Sequence, residues 1–78
     1  PARLAHLLLE LSKTDGAPDG AGIRLQARLT HQEMANLIGC SRETVSTILG
    51  QFRDQSLIKI DGRSVIIMKP NGLSRLVS

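Results

Sequence analysis

Aromatic side chains are almost missing from this chain: Phe52 stands alone, with no Trp and no Tyr. A stacking platform for single-stranded nucleic acid needs several aromatic faces for successive bases, so the composition argues against that class. Cysteine is equally scarce. Cys40 has no partner for an internal disulfide, and no Cys/His cluster falls at zinc spacing. No metal ligand set is therefore expected, and nothing in the chain calls for an oxidising compartment. No apolar run approaches the roughly 18 residues that mark a bilayer span, and no charged-then-apolar leader is visible. Glycine-rich phosphate loops, internal repeats and low-complexity tracts are absent as well.

What remains is the material of one small domain, expected to occupy residues 1–78. Hydrophobic residues make up 41% and charged residues 22%, a balance that supports a modest core and argues against disorder. The net charge of +3 comes from seven Arg and three Lys against seven acidic residues. That excess suits a polyanionic partner but serves solubility equally well.

Ala2 to Lys13 predicts a helix, because Leu4, Leu7, Leu8 and Leu11 recur at i, i+3, i+4 and i+7. Residues 14–22 are rich in Gly, Asp and Pro and read as an exposed loop. Ile23 to Leu29 alternates apolar and polar residues, the period of a strand with one buried face. Thr30-His31-Gln32-Glu33 fits a capping box that opens a second helix. Met34, Leu37 and Ile38 are expected on its buried side, with Gly39 ending it in a left-handed conformation. Ser41 caps a third helix, in which Val45, Ile48, Leu49 and Phe52 form the apolar stripe. Arg42, Glu43, Ser46, Thr47 and Gly50 are left on its outer face. Leu57–Ile60 and Ser64–Met68 read as strands joined through Asp61-Gly62-Arg63, a strong hairpin signal. Pro70 stops the second strand, and Asn71 to Ser78 is expected to form a short terminal helical turn. The order is helix, strand, helix, helix, hairpin. That is a mainly α winged helix-turn-helix with a three-helix core and a β-hairpin wing.

In a helix-turn-helix the second helix enters the major groove with its first residues at the base edges. Arg bridges guanine O6 and N7, and Glu accepts from cytosine N4. Arg42, Glu43, Ser46 and Thr47 are accordingly the candidate base-reading residues. Thr30, Ser41 and Thr44 lie near helix starts, where hydroxyls and free amides favour phosphate. Arg63 at the hairpin tip is a further candidate for phosphate or minor-groove contact, or a bystander, and Lys59 and Lys69 supply flanking charge.

The run Ile38-Gly39-Cys40-Ser41-Arg42-Glu43-Thr44-Val45 resembles the DNA-binding domain of the cyclic-AMP receptor protein/fumarate-nitrate regulator family of bacterial transcription factors. The likeness covers Leu29 to Met68, and residues 4–11 look like that family's first helix in this domain. The resemblance implies a bacterial, cytoplasmic, nucleoid-associated regulator that binds double-stranded DNA as a homodimer at an inverted repeat similar to TGTGA…TCACA. It implies that this chain, which opens at Pro1, is the C-terminal part of a longer protein. The dimerising helix and a sensor domain for a cyclic nucleotide or other effector would lie upstream, with no cofactor in this chain and RNA polymerase as a further partner. Arg42 and Glu43 match the family's base-reading positions, and Thr30, Gln32, Ser41 and Thr44 match positions near phosphates. Thr47 stands where the family's namesake has a third base-reading Arg, and Asp61 stands where a wing His donates to phosphate.

Two other functions compete. Cys40 with His31 could form a nucleophile and base, but neither an acid partner nor a phosphate loop accompanies them, so an enzyme is not expected. A winged helix turned to protein interaction would carry exposed apolar anchors on its third helix, where this sequence has Arg42, Glu43, Ser46 and Thr47.

Overall fold

The computed structural model describes residues 1–77. Its elements are α1 (Ala2–Asp15), β1 (Gly16–Asp19), β2 (Gly22–Leu25), α2 (His31–Ile38), α3 (Arg42–Asp54), β3 (Ile58–Asp61), β4 (Ser64–Ile67) and α4 (Pro70–Val77). The core lies between α1, α2 and α3 on one side and a four-stranded antiparallel sheet on the other. Leu4, Leu8, Leu25, Val45, Leu49, Phe52, Ile67 and Leu73 are its largest fully buried side chains.

The two central helices follow from local signals. In α2, Glu33 N donates to Thr30 Oγ1 at 3.0 Å and Thr30 N donates to Glu33 Oε1 at 2.9 Å, so both halves of the capping box form. Gly39 ends the helix at φ 76, a left-handed turn in which its amide donates to Ala35 O at 2.8 Å. Ser41 then caps α3, its Oγ accepting from Thr44 N at 3.1 Å. Val45, Ile48, Leu49 and Phe52 are all buried, as their spacing requires. Leu37 is not: it is 63% exposed. The stripe of α2 is centred by Met34, Ala35 and Ile38, and at about 100° per residue Leu37 falls roughly 110° from its middle. It lines a shallow apolar groove with Leu7, Ile38 and Val77.

Helix α3 ends in paired hydrogen bonds of the Schellman type. Leu57 N donates to Phe52 O at 2.9 Å and Ser56 N to Arg53 O at 3.0 Å. Ser56 therefore takes φ 61, the position usually given to Gly.

The β structure departs from the expected pattern. Half of the loop expected over 14–22 is β1, paired antiparallel with β2 through Gly16↔Leu25 and Asp19↔Gly22. Gly-Ala-Pro-Asp has no alternation to betray a strand. It is ordered by the tight turn at Gly20 and by its neighbour, and Pro18 is tolerated because β1 is an edge. The strand expected over Ile23–Leu29 stops at Leu25. Beyond it Asp15 captures the chain: its carbonyl accepts from Gln26 N at 3.0 Å and its carboxylate accepts from Ala27 N. Ala27 is consequently exposed and Leu29 only half-buried.

Strands β3 and β4 form the expected wing, paired Ile58↔Ile67 to Asp61↔Ser64. Gly62, at φ 62, opens a two-residue loop with the positive φ such hairpins need. The wing joins the first hairpin through β2–β4, in the order β1-β2-β4-β3. The terminal turn expected over 71–78 is a two-turn helix, α4, with Pro70 in its first position and Leu73 buried. Ser78 lies outside the described residues. The winged helix-turn-helix therefore holds, enlarged by one hairpin and one helix.

Candidate nucleic-acid interface

The exposed start of α3, the start of α2 and the wing loop converge on one cleft. Arg28, Thr30, His31, Gln32, Arg42, Gly62 and Arg63 line it, over a floor of Met34 and Leu49. Three guanidiniums on one side of so small a domain make that face electropositive.

Each helix start is organised by its cap. The Ser41 hydroxyl lies 2.9 Å from Thr44 Oγ1 while accepting from the Thr44 amide. The Thr30 hydroxyl is likewise taken by the Glu33 amide. These hydroxyls act first on the protein's own backbone, and the amides of the first helical residues are what each helix start presents to an anion. The hydrogen bond from the Thr30 amide, followed by that from its hydroxyl, holds the Glu33 carboxyl below its ordinary range. Gln32 Nε2 donates to Asn36 Oδ1 at 2.9 Å, a contact along α2 that an external acceptor can replace.

Of the four base-reading candidates, Arg42, Glu43 and Thr47 are exposed. Arg42 Nη2 lies 3.6 Å from Glu43 Oε1, a pair on side chains 58% and 76% exposed that is weak enough to open. Thr47 lies opposite the buried stripe, about 150° from its middle. Ser46 behaves differently. It is half-buried on the flank of α3, and its Oγ lies 2.7 Å from His31 Nδ1. The expectation of Ser46 on the outer face is corrected: it lies about 110° from the middle of the stripe, on the flank of α3 that meets the start of α2.

Arg24 is not among the residues that the sequence singles out. Its Nε donates to Asp19 Oδ2 at 2.6 Å and its Nη2 to Asp61 Oδ2 at 2.8 Å, tying the first hairpin to the wing. The hydrogen bond from Arg24 also lowers the Asp61 carboxyl below its ordinary range. The negative charge that Asp61 sets on the wing is thus matched by a cation. Arg28, the other omission, lies two residues before the Thr30 cap, and its place before a helix start was the available signal.

The Cys40–His31 pairing is not formed. Cys40 Sγ lies 3.5 Å from Ser41 O, packed against the core, and His31 is engaged with Ser46. Among the described residues no three His, Cys, Asp or Glu side chains gather as a metal site, and no helix is long and apolar enough to cross a membrane.

The model of the Crp-like helix-turn-helix domain matches residues 2–76. This chain belongs to that family. It is 39% identical over 75 residues to a CRP-like cAMP-activated global transcriptional regulator of Mycobacterium tuberculosis, covering 96% of this chain and 34% of that protein. It is 41% identical over 68 residues to the cAMP-activated global transcriptional regulator CRP of Salmonella typhimurium, covering 83% and 30%. A transcriptional regulator of the CRP family from Thermus thermophilus superposes with a TM-score of 0.87 at 32% identity, over 97% of this chain and 38% of that one. The Crp-like domain thus spans about a third of the length of these curated relatives. They are transcription regulators, a class distinct from enzymes.

Proposed function

We propose that this Crp-like domain reads duplex DNA in a sequence-specific way and serves a transcription regulator. In this reading α3, about 20 Å long at 1.5 Å per residue, lies in the major groove. Arg42 and Glu43 meet adjacent base pairs, and Thr47 lies one turn further along. The starts of α2 and α3 bring Thr30, Gln32, Ser41 and Thr44 to phosphates, and Arg28 and Arg63 flank them. The observation that carries the reading is the cleft itself: exposed Arg42 on the reading helix shares it with Arg63 of the wing and with the capped start of α2.

The remainder of the proposal concerns the longer protein. It pairs as a homodimer through an upstream helix, reads an inverted repeat, senses a cyclic nucleotide or other effector outside this chain, and engages RNA polymerase in the bacterial cytoplasm. A protein-interaction role fits less well, because the exposed large apolar residues are Leu37, Ile60, Leu76 and Val77 and none is on α3.

A salt-titrated selection from a randomised inverted-repeat library tests the reading. Enrichment of one palindromic consensus is expected, with log affinity falling linearly in log salt. Equal binding to all duplexes defeats it.

A further inference from the structure

We propose that the hydrogen bond between His31 and Ser46 is an interhelical clasp that fixes the roll of the reading helix relative to the start of α2, making His31 and Ser46 positioning residues for base recognition. The consequence for DNA rests on the function proposed above; the clasp itself does not.

Apolar packing joins α2 to α3: Met34 and Ala35 share one buried core with Val45, Ile48, Leu49 and Phe52. Such contacts hold two helices together but are non-directional, and they yield to a small rotation about the helix axis. The corner at Gly39 fixes only one end of α3. A hydrogen bond of 2.7 Å is directional. It joins the first residue of α2 to the second turn of α3, across fifteen residues of chain. The imidazole is held next to Thr30 and Gln32, at the end of α2 that faces the cleft. Ser46 lies one turn beyond Arg42, on the same helix. The clasp therefore ties the phosphate-facing end of α2 to the base-facing turn of α3, so that anchoring one sets the register of the other. The bond can run either way: a bare Nδ1 accepts from Ser46 Oγ–H, and an Nδ1 that carries the proton donates to Ser46 Oγ.

Asn and Gln separate the two ring nitrogens, since an Asn side chain ends near the place of Nδ1 and a Gln side chain near that of Nε2. In urea unfolding of the free protein, His31→Gln, Ser46→Ala and the double variant form a cycle. The expected coupling is about fivefold in the unfolding equilibrium, the worth of one hydrogen bond. His31→Asn is expected to keep most of it. For DNA, each single variant is expected to lower the ratio of operator to scrambled-duplex affinity by about fivefold. The salt slope should not change, the double variant should be no worse than either single, and His31→Asn should rescue.

Additive singles in the free protein overturn the clasp. Coupling in folding with an unchanged affinity ratio overturns the positioning role. Loss of preference at one base pair in Ser46→Ala, with His31→Gln unaffected, makes Ser46 a direct base reader and also overturns it. If the parent protein itself does not distinguish operator from scrambled DNA, the proposed function fails and the positioning role with it. The cycle in the free protein still decides the clasp.

Discussion

Thr30→Ala separates what the α2 cap does for the fold from what the helix start does for a ligand. The substitution removes the hydroxyl that accepts from Glu33 N at 3.0 Å. It leaves the other half of the box, because the Thr30 amide that donates to Glu33 Oε1 at 2.9 Å belongs to the backbone. Helix α2 has only eight residues, far short of independent stability. It depends on its cap and on the burial of Met34 and Ala35. The loss is about 1 kcal/mol, which for a domain of this size lowers the midpoint of thermal unfolding by about 4–8 °C. Thr30→Ser keeps the acceptor and should cost much less. The pH dependence should divide the same way. The folded Glu33 carboxyl titrates below its ordinary value, chiefly because of the Thr30 amide and secondarily because of the hydroxyl. Its contribution is present above the ordinary glutamate value of ~4.3 and fades as pH falls through the depressed folded value. Thr30→Ala should keep most of that dependence, whereas Glu33→Gln should abolish it. Circular dichroism melts from acid to neutral pH read both effects. If Thr30→Ala and Thr30→Ser melt together, or if Glu33→Gln keeps the parent's acid dependence, the capping account is wrong.

Arg42→Ala should cost about 1–3 kcal/mol of specific affinity and relax preference at one base pair, read by competition against single-substituted operators. Undiminished preference there removes Arg42 from base reading. Arg28→Ala and Arg63→Ala should each weaken binding to all duplexes alike and reduce the slope of log affinity against log salt by about 0.9, the value of one phosphate contact. Ser56→Gly should stabilise the free domain by about 0.5–1 kcal/mol in urea unfolding. It relieves the left-handed cost at φ 61, partly offset by the extra freedom of Gly in the unfolded chain. A destabilised variant would mean that the Ser56 side chain contributes more than its backbone conformation costs.

The helix-turn-helix was legible because its signals are local. A capping box occupies four consecutive residues, a left-handed Gly ends one helix, and the stripe of α3 repeats within eight residues. The residues at the exposed start of α3 followed directly. Long-range features were not legible. Strand β1 carries no periodicity and exists because β2 lies beside it. Strand β2 is cut short by Asp15, ten residues away. Leu37 fits an i, i+3 pattern but lies outside the arc spanned by Met34, Ile38 and Ala35, which counting apolar residues alone does not reveal. The His31–Ser46 contact and the Arg24 bridge span fifteen and thirty-seven residues, and only the packed fold brings their ends together.

Asp61 and Thr47 are the two positions expected from the sequence to depart from the family resemblance, and the fold treats them differently. Asp61 would set a negative charge at the wing, but Arg24 Nη2 lies 2.8 Å from it while its Nε holds Asp19. The wing therefore presents Arg63 with little opposing field. Replacing Arg24 with Gln should expose that charge and weaken DNA binding most at low salt, where screening is least. Thr47 has no such compensation. It is exposed beyond Arg42 on the reading helix, where a Thr can make one hydrogen bond or touch a thymine methyl but cannot span guanine O6 and N7. On the proposed docking, the base pair beneath Thr47 should tolerate substitution while those beneath Arg42 and Glu43 do not. Thr47→Arg should then sharpen guanine preference at that one pair and leave the others unchanged.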